Sequence, residues 1–167
     1  MAKKCIRKLN MLCPCGSNAQ YKECCEPLIL KKLNAESPEQ LMRSRYSAYA
    51  LKHSEYIYET YSNTSKNQQS INDIAIWAKE TDWLNLRILN TSEFKNNSTP
   101  TVEFEAIYKN NGKLYKMNEK STFIKENNLW RYVDGSQVNF NEIPTPKRND
   151  ECICLSGKKY KKCCGGY

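Results

Sequence analysis

The same cysteine pattern occurs twice in this chain, once near each end, and it restricts the possible folds more than any other feature. Each copy has a Cys-x-Cys pair, then eight residues, then a Cys-Cys pair. A serine and a tyrosine also occupy equivalent positions in the two copies. The cysteines are Cys13, Cys15, Cys24 and Cys25 in the first copy and Cys152, Cys154, Cys163 and Cys164 in the second. Shared spacing and shared non-cysteine residues indicate an internal repeat.

Four thiolates in each copy match the ligand set of a structural zinc site, which has no open coordination position. A segment of about 20 residues buries too little apolar surface to fold alone, so metal binding would supply the folding free energy. The sequence therefore predicts two structural Zn²⁺ ions, one in a first knuckle (residues 1–30) and one in a second knuckle (residues 145–167). The alternative is disulfides, which neighbouring cysteines form with each other only under strain. The remaining cysteine, Cys5, is interpreted as a bystander thiol.

Composition favours a cytoplasmic location. No run of about 18 apolar residues occurs, so we expect no transmembrane helix. Residues 1–12 include lysines but no apolar segment, so we expect no signal peptide. In the reducing cytoplasm, thiols stay available for metal binding.

Positive charge is concentrated at the two ends of the chain. The formal net charge is +8, of which residues 1–36 and 145–167 carry +4 each, whereas residues 37–144 are neutral. The second knuckle contains a cluster of four lysines: Lys158, Lys159, Lys161 and Lys162. We expect this cluster to dock on an acidic protein or on a ribosomal or other RNA surface. The alternative is that these lysines only keep the tail soluble.

Residues 37–144 are interpreted as one middle domain that begins with helices. Ser37 suits the N-cap, Pro38 the first helical position and Gln40 the capping box. Apolar residues at helical spacing follow. Helices are predicted over residues 38–51, 54–61 and 72–79.

The second half of the middle domain has the period of two that is typical of strands. Strands are predicted over residues 83–90, 102–109, 113–125 and 129–134. Asn111-Gly112 between two of them is the preferred pair for a type I′ hairpin turn. Three helices followed by a four-stranded antiparallel meander predict an α+β domain. A curved sheet wrapped on the long helix would enclose a conical cavity.

Two charged residues are predicted on otherwise apolar faces. Arg45 falls in the apolar stripe of the first helix, and Glu119 shares a strand face with Tyr115. Because a buried charge requires a partner, we expect Glu119 to pair with Arg45. Together with Tyr46 and Tyr115, the pair would either line a ligand pocket or fix the helix on the sheet as a buried ion pair.

Several motifs resemble the YchJ-like family of bacterial proteins over nearly the whole chain. Cys-Pro-Cys-Gly-Ser at 13–17, Arg-Asn-Asp at 148–150 and Ser-Gly-Lys-Lys-Tyr-Lys-Lys-Cys-Cys at 156–164 resemble the SEC-C zinc-binding motif. The middle matches at Arg43-Ser44-Arg45-Tyr46, at Glu119-Lys120-Ser121-x-Phe123 and at Trp130-x-Tyr132-Val133-Asp134-Gly135. This resemblance implies an NTF2-like, cystatin-type cone between two SEC-C knuckles. The second knuckle departs from the motif at Ile153 and Leu155, where Pro and Gly are usual.

The resemblance also implies a role in docking, because SEC-C knuckles are associated with binding to proteins, including secretion chaperones and ribosomes. Catalysis has few candidate groups, since the single histidine, His53, lies at a predicted helix end where a C-cap role is favoured. We therefore favour a cytosolic zinc-binding adaptor over an enzyme. The alternative is a small-molecule-binding domain or enzyme that uses the cone around Arg45 and Glu119.

Overall fold

The computed structural model describes residues 11–92 and 99–166, in which helices come first and an antiparallel sheet follows. The interpretation of Cys5 lies outside the described residues. The helices are α1 (Glu26–Ile29), α2 (Pro38–Leu51), α3 (Ser54–Glu59), α4 (Asn63–Lys66) and α5 (Ile71–Glu80). The strands are β1 (Thr81–Ser92), β2 (Thr101–Asn110), β3 (Lys113–Glu126) and β4 (Leu129–Ile143). The predicted combination of helices with an antiparallel sheet is confirmed.

Helix α2 begins as its sequence predicts. The Ser37 hydroxyl accepts a hydrogen bond from Gln40 N–H at 3.1 Å, and Pro38 occupies the first turn. The helix ends at Lys52, whose φ of 69° is left-handed. The predicted C-cap role of His53 is therefore wrong, because His53 follows the cap and its backbone N–H donates to Ala48 O at 2.8 Å.

The prediction of three helices is wrong, since the described residues contain five α-helices. Helix α1 completes the first knuckle, and α4 is a single turn that begins at the N-cap Ser62. Both helices have four residues. Four residues are too few to show a 3.6-residue period, so apolar spacing gave no signal for them.

The sheet has the order β1-β2-β3-β4, so each strand pairs with its neighbours in sequence. The β2–β3 turn has positive φ at Asn111 (48°) and Gly112 (80°), as a type I′ turn requires. Strand β4 continues well beyond residue 134, where the prediction ended it, and Ile143 pairs with Leu114 of β3. The prediction missed this half because Asp134-Gly135-Ser136 is typical of a turn, although Val138 and Phe140 alternate with polar residues beyond it.

The core lies between the helices and one face of the sheet. Alternate residues of β2, from Val102 through Phe104 and Ala106 to Tyr108, are buried. Helix α2 contacts β1, β2 and β4 and contributes Leu41 to the same core. Within the described ranges, none of the helices combines the length and the apolar character needed to cross a bilayer.

Candidate metal centres

The first knuckle is a tight hairpin followed by a short turn of helix. Cys13 N–H donates to Ala19 O at 2.8 Å, and Tyr21 N–H donates to Met11 O at 2.9 Å. The second knuckle repeats both bonds, from Cys152 to Lys158 O at 2.8 Å and from Tyr160 to Asp150 O at 2.8 Å. A turn of 3₁₀ helix follows in each copy. The internal repeat in the sequence is therefore a repeat in the backbone.

Each hairpin brings its four cysteine sulfurs together. The four Sγ atoms of each cluster all lie within 4.8 Å of one another. In the first knuckle, Cys24 Sγ lies 3.7 Å from Cys15 Sγ and 3.8 Å from Cys25 Sγ. In the second knuckle, Cys163 Sγ lies 3.4 Å from Cys154 Sγ and 4.0 Å from Cys164 Sγ. The sequence predicted both groupings.

These separations fit a tetrahedral metal site. Four sulfurs at about 2.3 Å from a zinc ion are about 3.8 Å from one another. A disulfide instead requires sulfurs about 2.05 Å apart. All eight cysteines are free thiols in the structure. The donor set therefore suits a closed tetrahedral ion in each knuckle and not a disulfide pair.

A serine in each copy supports one ligand from outside the cluster. Ser17 Oγ lies 3.3 Å from Cys24 Sγ, and Ser156 Oγ lies 3.3 Å from Cys163 Sγ. A hydroxyl that donates to a thiolate orients it and offsets part of its charge. The serine position is shared by the two copies in the sequence, but its contact with a ligand sulfur was not predicted.

The thiols of each cluster differ in acidity. Hydrogen bonds from Cys13 and Cys25 hold the pKa of the Cys15 thiol far below its usual range. The hydrogen bond with Cys15 in turn raises the pKa of Cys13 to about 11. Burial opposes ionisation of Cys152, but backbone N–H groups of Cys154 and Cys164 lower its pKa to about 7. Each cluster thus favours one thiolate near neutral pH, which attracts a cation.

The first cluster belongs to the core of the molecule. Cys13, Cys15 and Cys25 are only 5%, 0% and 1% exposed and pack in the main hydrophobic core. Helix α2 contacts this cluster with two polar side chains: Ser47 Oγ lies 3.5 Å from Cys13 Sγ, and Arg43 Nη1 donates to Cys15 O at 2.8 Å. This contact was not predicted, although Glu39, Arg43 and Ser47 have the i, i+4 spacing of a polar row on one face of α2.

The second cluster lies at the surface. Only Cys152 of its four cysteines is buried. Tyr160 and Cys164 line a groove of about 600 Å³ together with Leu51 at the end of α2 and Leu114 of β3. The second knuckle therefore touches the middle domain along one side and leaves its other side open.

The lysine cluster of the second knuckle is largely exposed to solvent. Lys158, Lys159 and Lys162 are exposed and Lys161 is half-buried. No ion pair of the described residues includes any of these four lysines. Leu155 is 68% exposed beside them. By contrast, the corresponding part of the first knuckle pairs Lys22 with Glu23 at 3.7 Å.

The predicted ion pair between Arg45 and Glu119 is wrong. Arg45 is buried, and its Nη1 donates to Ile57 O at 2.7 Å and to Thr60 Oγ1 at 2.6 Å. Its guanidinium carbon lies 4.4 Å from the ring centroid of Tyr61 and 4.3 Å from that of Tyr132. The partners of this buried charge are thus two aromatic faces, one backbone carbonyl and one threonine hydroxyl.

Glu119 is held by β3 and β4. Its Oε1 accepts hydrogen bonds from Ser121 Oγ at 2.7 Å and from Tyr132 OH at 2.9 Å. Tyr132 therefore stands between the two charges, with its ring on Arg45 and its hydroxyl on Glu119. Burial, and then the nearby Glu119 carboxylate, raise the pKa of Tyr132 well above its usual range.

Arg45, Tyr46 and Glu119 do line one cavity, of about 230 Å³, between α2 and the sheet. Tyr115, the fourth predicted pocket residue, does not line it. Tyr115 pairs with Tyr108 across β2 and β3, with stacked rings 5.4 Å apart. Glu119 lies four positions further along β3, about 13 Å away. Tyr115 and Glu119 therefore share a strand face but do not belong to the same site.

Known proteins are similar to this chain over most of its length. A model of the YchJ middle NTF2-like domain matches residues 37–135, and a SEC-C motif model matches residues 10–27 and 148–166. A UPF0225 protein of Vibrio cholerae is 42% identical over 155 residues, which cover 93% of this chain and 100% of the relative. A UPF0225 protein of Vibrio vulnificus is 41% identical over 164 residues, which cover 92% and 98%.

Two solved structures are similar to this fold. The solution structure of a SEC-C motif containing protein from Rhodopseudomonas palustris has a TM-score of 0.69 and 39% identity, and the match covers 78% of this chain and 100% of that one. The crystal structure of a SEC-C motif containing protein from Psychrobacter arcticus has a TM-score of 0.67 and 32% identity, with 94% and 97% covered. The similarity to the second structure thus includes nearly all of both chains.

Proposed function

The chain belongs to the UPF0225 family and has a YchJ-type NTF2-like middle domain between two SEC-C motifs. We propose that it is a zinc-binding adaptor of the bacterial cytoplasm. One structural Zn²⁺ holds each knuckle in shape. The second knuckle docks on an acidic protein or on a ribosomal RNA surface. One observation carries the proposal: a four-cysteine cluster presents exposed lysines that have no ion-pair partner among the described residues.

The ligand chemistry supports structural zinc. Four thiolates form a soft donor set, and zinc accepts it in a tetrahedron. Because all four positions are taken by protein, no site is left for water or substrate, and the bound ion supplies folding free energy and not catalysis. The residues that would hold it are the eight clustered cysteines.

The shape of the second knuckle supports docking. Leu155 and three of the four lysines are exposed within a short segment of this knuckle, so an apolar side chain and several positive charges are available close together in sequence. Charge attracts a polyanion over a distance, and an apolar contact adds short-range affinity. The metal keeps the backbone of this turn fixed, so its lysines lose little backbone entropy on binding.

Cosedimentation with purified ribosomes tests the docking surface. If all four lysines contact phosphate, affinity should fall roughly 50- to 150-fold between about 50 and about 200 mM salt. The double variant Lys158→Glu/Lys159→Glu should bind at least about tenfold more weakly at low salt, since each lost phosphate contact removes counterion release. Binding of the same proteins to a highly acidic chaperone, immobilised on a biosensor surface, tests an acidic protein as the partner.

The matched control is Lys32→Glu/Lys79→Glu, which changes the net charge by the same amount at two exposed lysines outside the second knuckle. It should bind like the wild type. If the two double variants bind ribosomes and the acidic chaperone equally well, the docking proposal is wrong, whatever the metal content of the protein.

A further inference from the structure

A second feature of the molecule, the cavity between α2, α5 and the sheet, has no part in metal binding or docking. It has a volume of about 230 Å³. Phe104 and Met117 form its floor on the sheet, and Met42 of α2 lies on the opposite side. Phe140, which is 56% exposed, borders it. A cavity of this size accommodates one small molecule of one or two rings.

Aromatic rings form most of the wall. Tyr46 meets Trp83 edge to face with ring centroids 5.5 Å apart, and Trp77 meets Trp83 in the same way at 6.2 Å. Tyr49 lies against Trp83 at 5.5 Å. These contacts fix the rings, so their flat faces are available to stack on a planar ligand without rearrangement.

One end of the cavity is polar, and its polar groups have unused capacity. In the described part of the chain, Arg45 makes both of its hydrogen bonds through Nη1, and Glu119 accepts both of its bonds at Oε1. Arg45 Nη2 and Glu119 Oε2 are therefore left for another partner. A donor and an acceptor at one end suit a ligand whose edge carries both an acceptor and a donor.

A second buried donor borders the cavity, on the part of the sheet level with Tyr108 and Tyr115. Trp83 Nε1 is buried and has no hydrogen-bond partner among the described residues. Trp83 borders the cavity. A buried N–H without an acceptor is destabilising, and a ligand acceptor in the cavity would relieve that cost.

The charges of the lining exclude strongly ionic ligands. The aromatic faces of Tyr61 and Tyr132 that could hold an ammonium group already hold the Arg45 guanidinium, which would repel a second cation. Glu119 would repel an anion that approached Arg45. The two formal charges cancel, so the lining favours a neutral molecule.

We propose that this cavity binds a neutral planar heteroaromatic molecule of one or two fused rings that carries a carbonyl acceptor beside an N–H donor. The rings stack on the tryptophan and tyrosine walls. The carbonyl accepts from Arg45 Nη2, and the N–H donates to Glu119 Oε2. This binding is independent of the lysine cluster and of the adaptor proposal.

Quinazolinone, a neutral bicyclic amide, is the probe that tests the proposal. Calorimetry should give a Kd of about 0.1 mM or tighter, the range expected for a ligand of this size. Benzoate and benzyltrimethylammonium, which represent the anionic and cationic classes, should bind at least about tenfold more weakly because each meets a like charge. Failure of quinazolinone to bind at millimolar concentration overturns the proposal, as does equal binding of either ion.

Two variants locate the site. Glu119→Gln should weaken quinazolinone binding about tenfold, since it replaces a carboxylate acceptor by an amide. Trp83→Phe should weaken it by a similar factor, since it removes part of the aromatic wall on which the ligand stacks. Glu103→Gln on β2 and Trp130→Phe, neither of which lines this cavity, should bind like the wild type. If neither cavity variant weakens binding, the proposal is wrong.

An NMR titration of the wild type keeps the test valid even if a variant fails to fold. The chain has three tryptophans, and Trp77 and Trp83 line the cavity whereas Trp130 does not. Quinazolinone should shift the indole N–H signals of Trp77 and Trp83 and leave that of Trp130 in place. A shift confined to Trp130 would contradict the assignment.

Discussion

Gly135 lies opposite Ser121 on β4, next to the carboxyl end of the Glu119 side chain. A Cβ atom at this glycine would overlap the carboxyl end of Glu119. The missing side chain therefore makes the space in which Glu119 accepts its bonds from Ser121 and Tyr132. At the scale of one residue, the polar end of the cavity depends on a glycine that touches no ligand.

Gly135→Ala should lower the free energy of unfolding by about 1–3 kcal/mol, because the displaced Glu119 loses its buried hydrogen bonds. Urea denaturation measures the change. In a Glu119→Ala background, where there is no carboxylate to displace, the same substitution should cost less than half as much. An equal cost in both backgrounds would place the effect elsewhere.

The sequence predicted residues well where their roles depend on local spacing. Both four-cysteine clusters follow from short hairpins, so their spacing along the chain was enough. The Arg45–Glu119 pair was wrong because the intervening Tyr132 and the space at Gly135 come from β4, far away in sequence. Ser47 and Arg43 were missed for the same reason, since only the packed helix brings them to the first knuckle.

Elements of regular length were predicted better than short or polar ones. Helix α2 has a cap, a proline and an apolar stripe, and β2–β3 has clear alternation with an Asn-Gly turn. Helix α4 has no period to detect, and the second half of β4 follows a turn-like Asp134-Gly135-Ser136 segment that continues as strand only because it pairs with β3. Tertiary pairing decided these elements.

The two knuckles are alike as elements but differ in what depends on them. The first packs three of its cysteines in the main core and receives a hydrogen bond from α2. The second has one buried cysteine and contacts the middle domain along one groove. Loss of metal should therefore have unequal consequences at the two ends.

Cys15→Ser should lower the free energy of unfolding by more than about 4 kcal/mol or prevent folding, because a metal site inside the core is lost. Cys154→Ser should unfold only the second knuckle and leave the melting temperature of the middle domain nearly unchanged. Circular dichroism melts with zinc analysis measure both. Equal destabilisation by the two substitutions would contradict the difference in burial.

Across the whole molecule, phenol groups are buried without ionising. Burial raises the pKa of Tyr46, Tyr49, Tyr56 and Tyr132 above the usual value. In the unfolded chain these phenols ionise near pH 10, whereas in the folded state they keep their protons. Above that pH the folded state binds more protons than the unfolded state.

Stability should therefore be complete below about pH 10 and should fall as pH rises beyond it, because unfolding then releases protons. Urea midpoints of the metal-loaded protein at increasing pH measure this dependence. Tyr49→Phe removes one of the four groups and should reduce the slope. A stability that rises with alkaline pH would contradict the burial of these phenols.

The two zinc motifs are not interchangeable parts, and Gly16 is the reason. Gly16 and Leu155 occupy the same left-handed turn, with φ of 75° and 57°. A Cβ at Gly16 would approach Leu86 O to 2.9 Å, closer than real Cβ contacts, whereas Leu155 extends into solvent. A transplant of residues 148–166 into the N-terminal position would thus drive a leucine into the β1 backbone. The first knuckle is therefore fixed by its contact with β1, whereas the second knuckle can accept different side chains on its exposed surface.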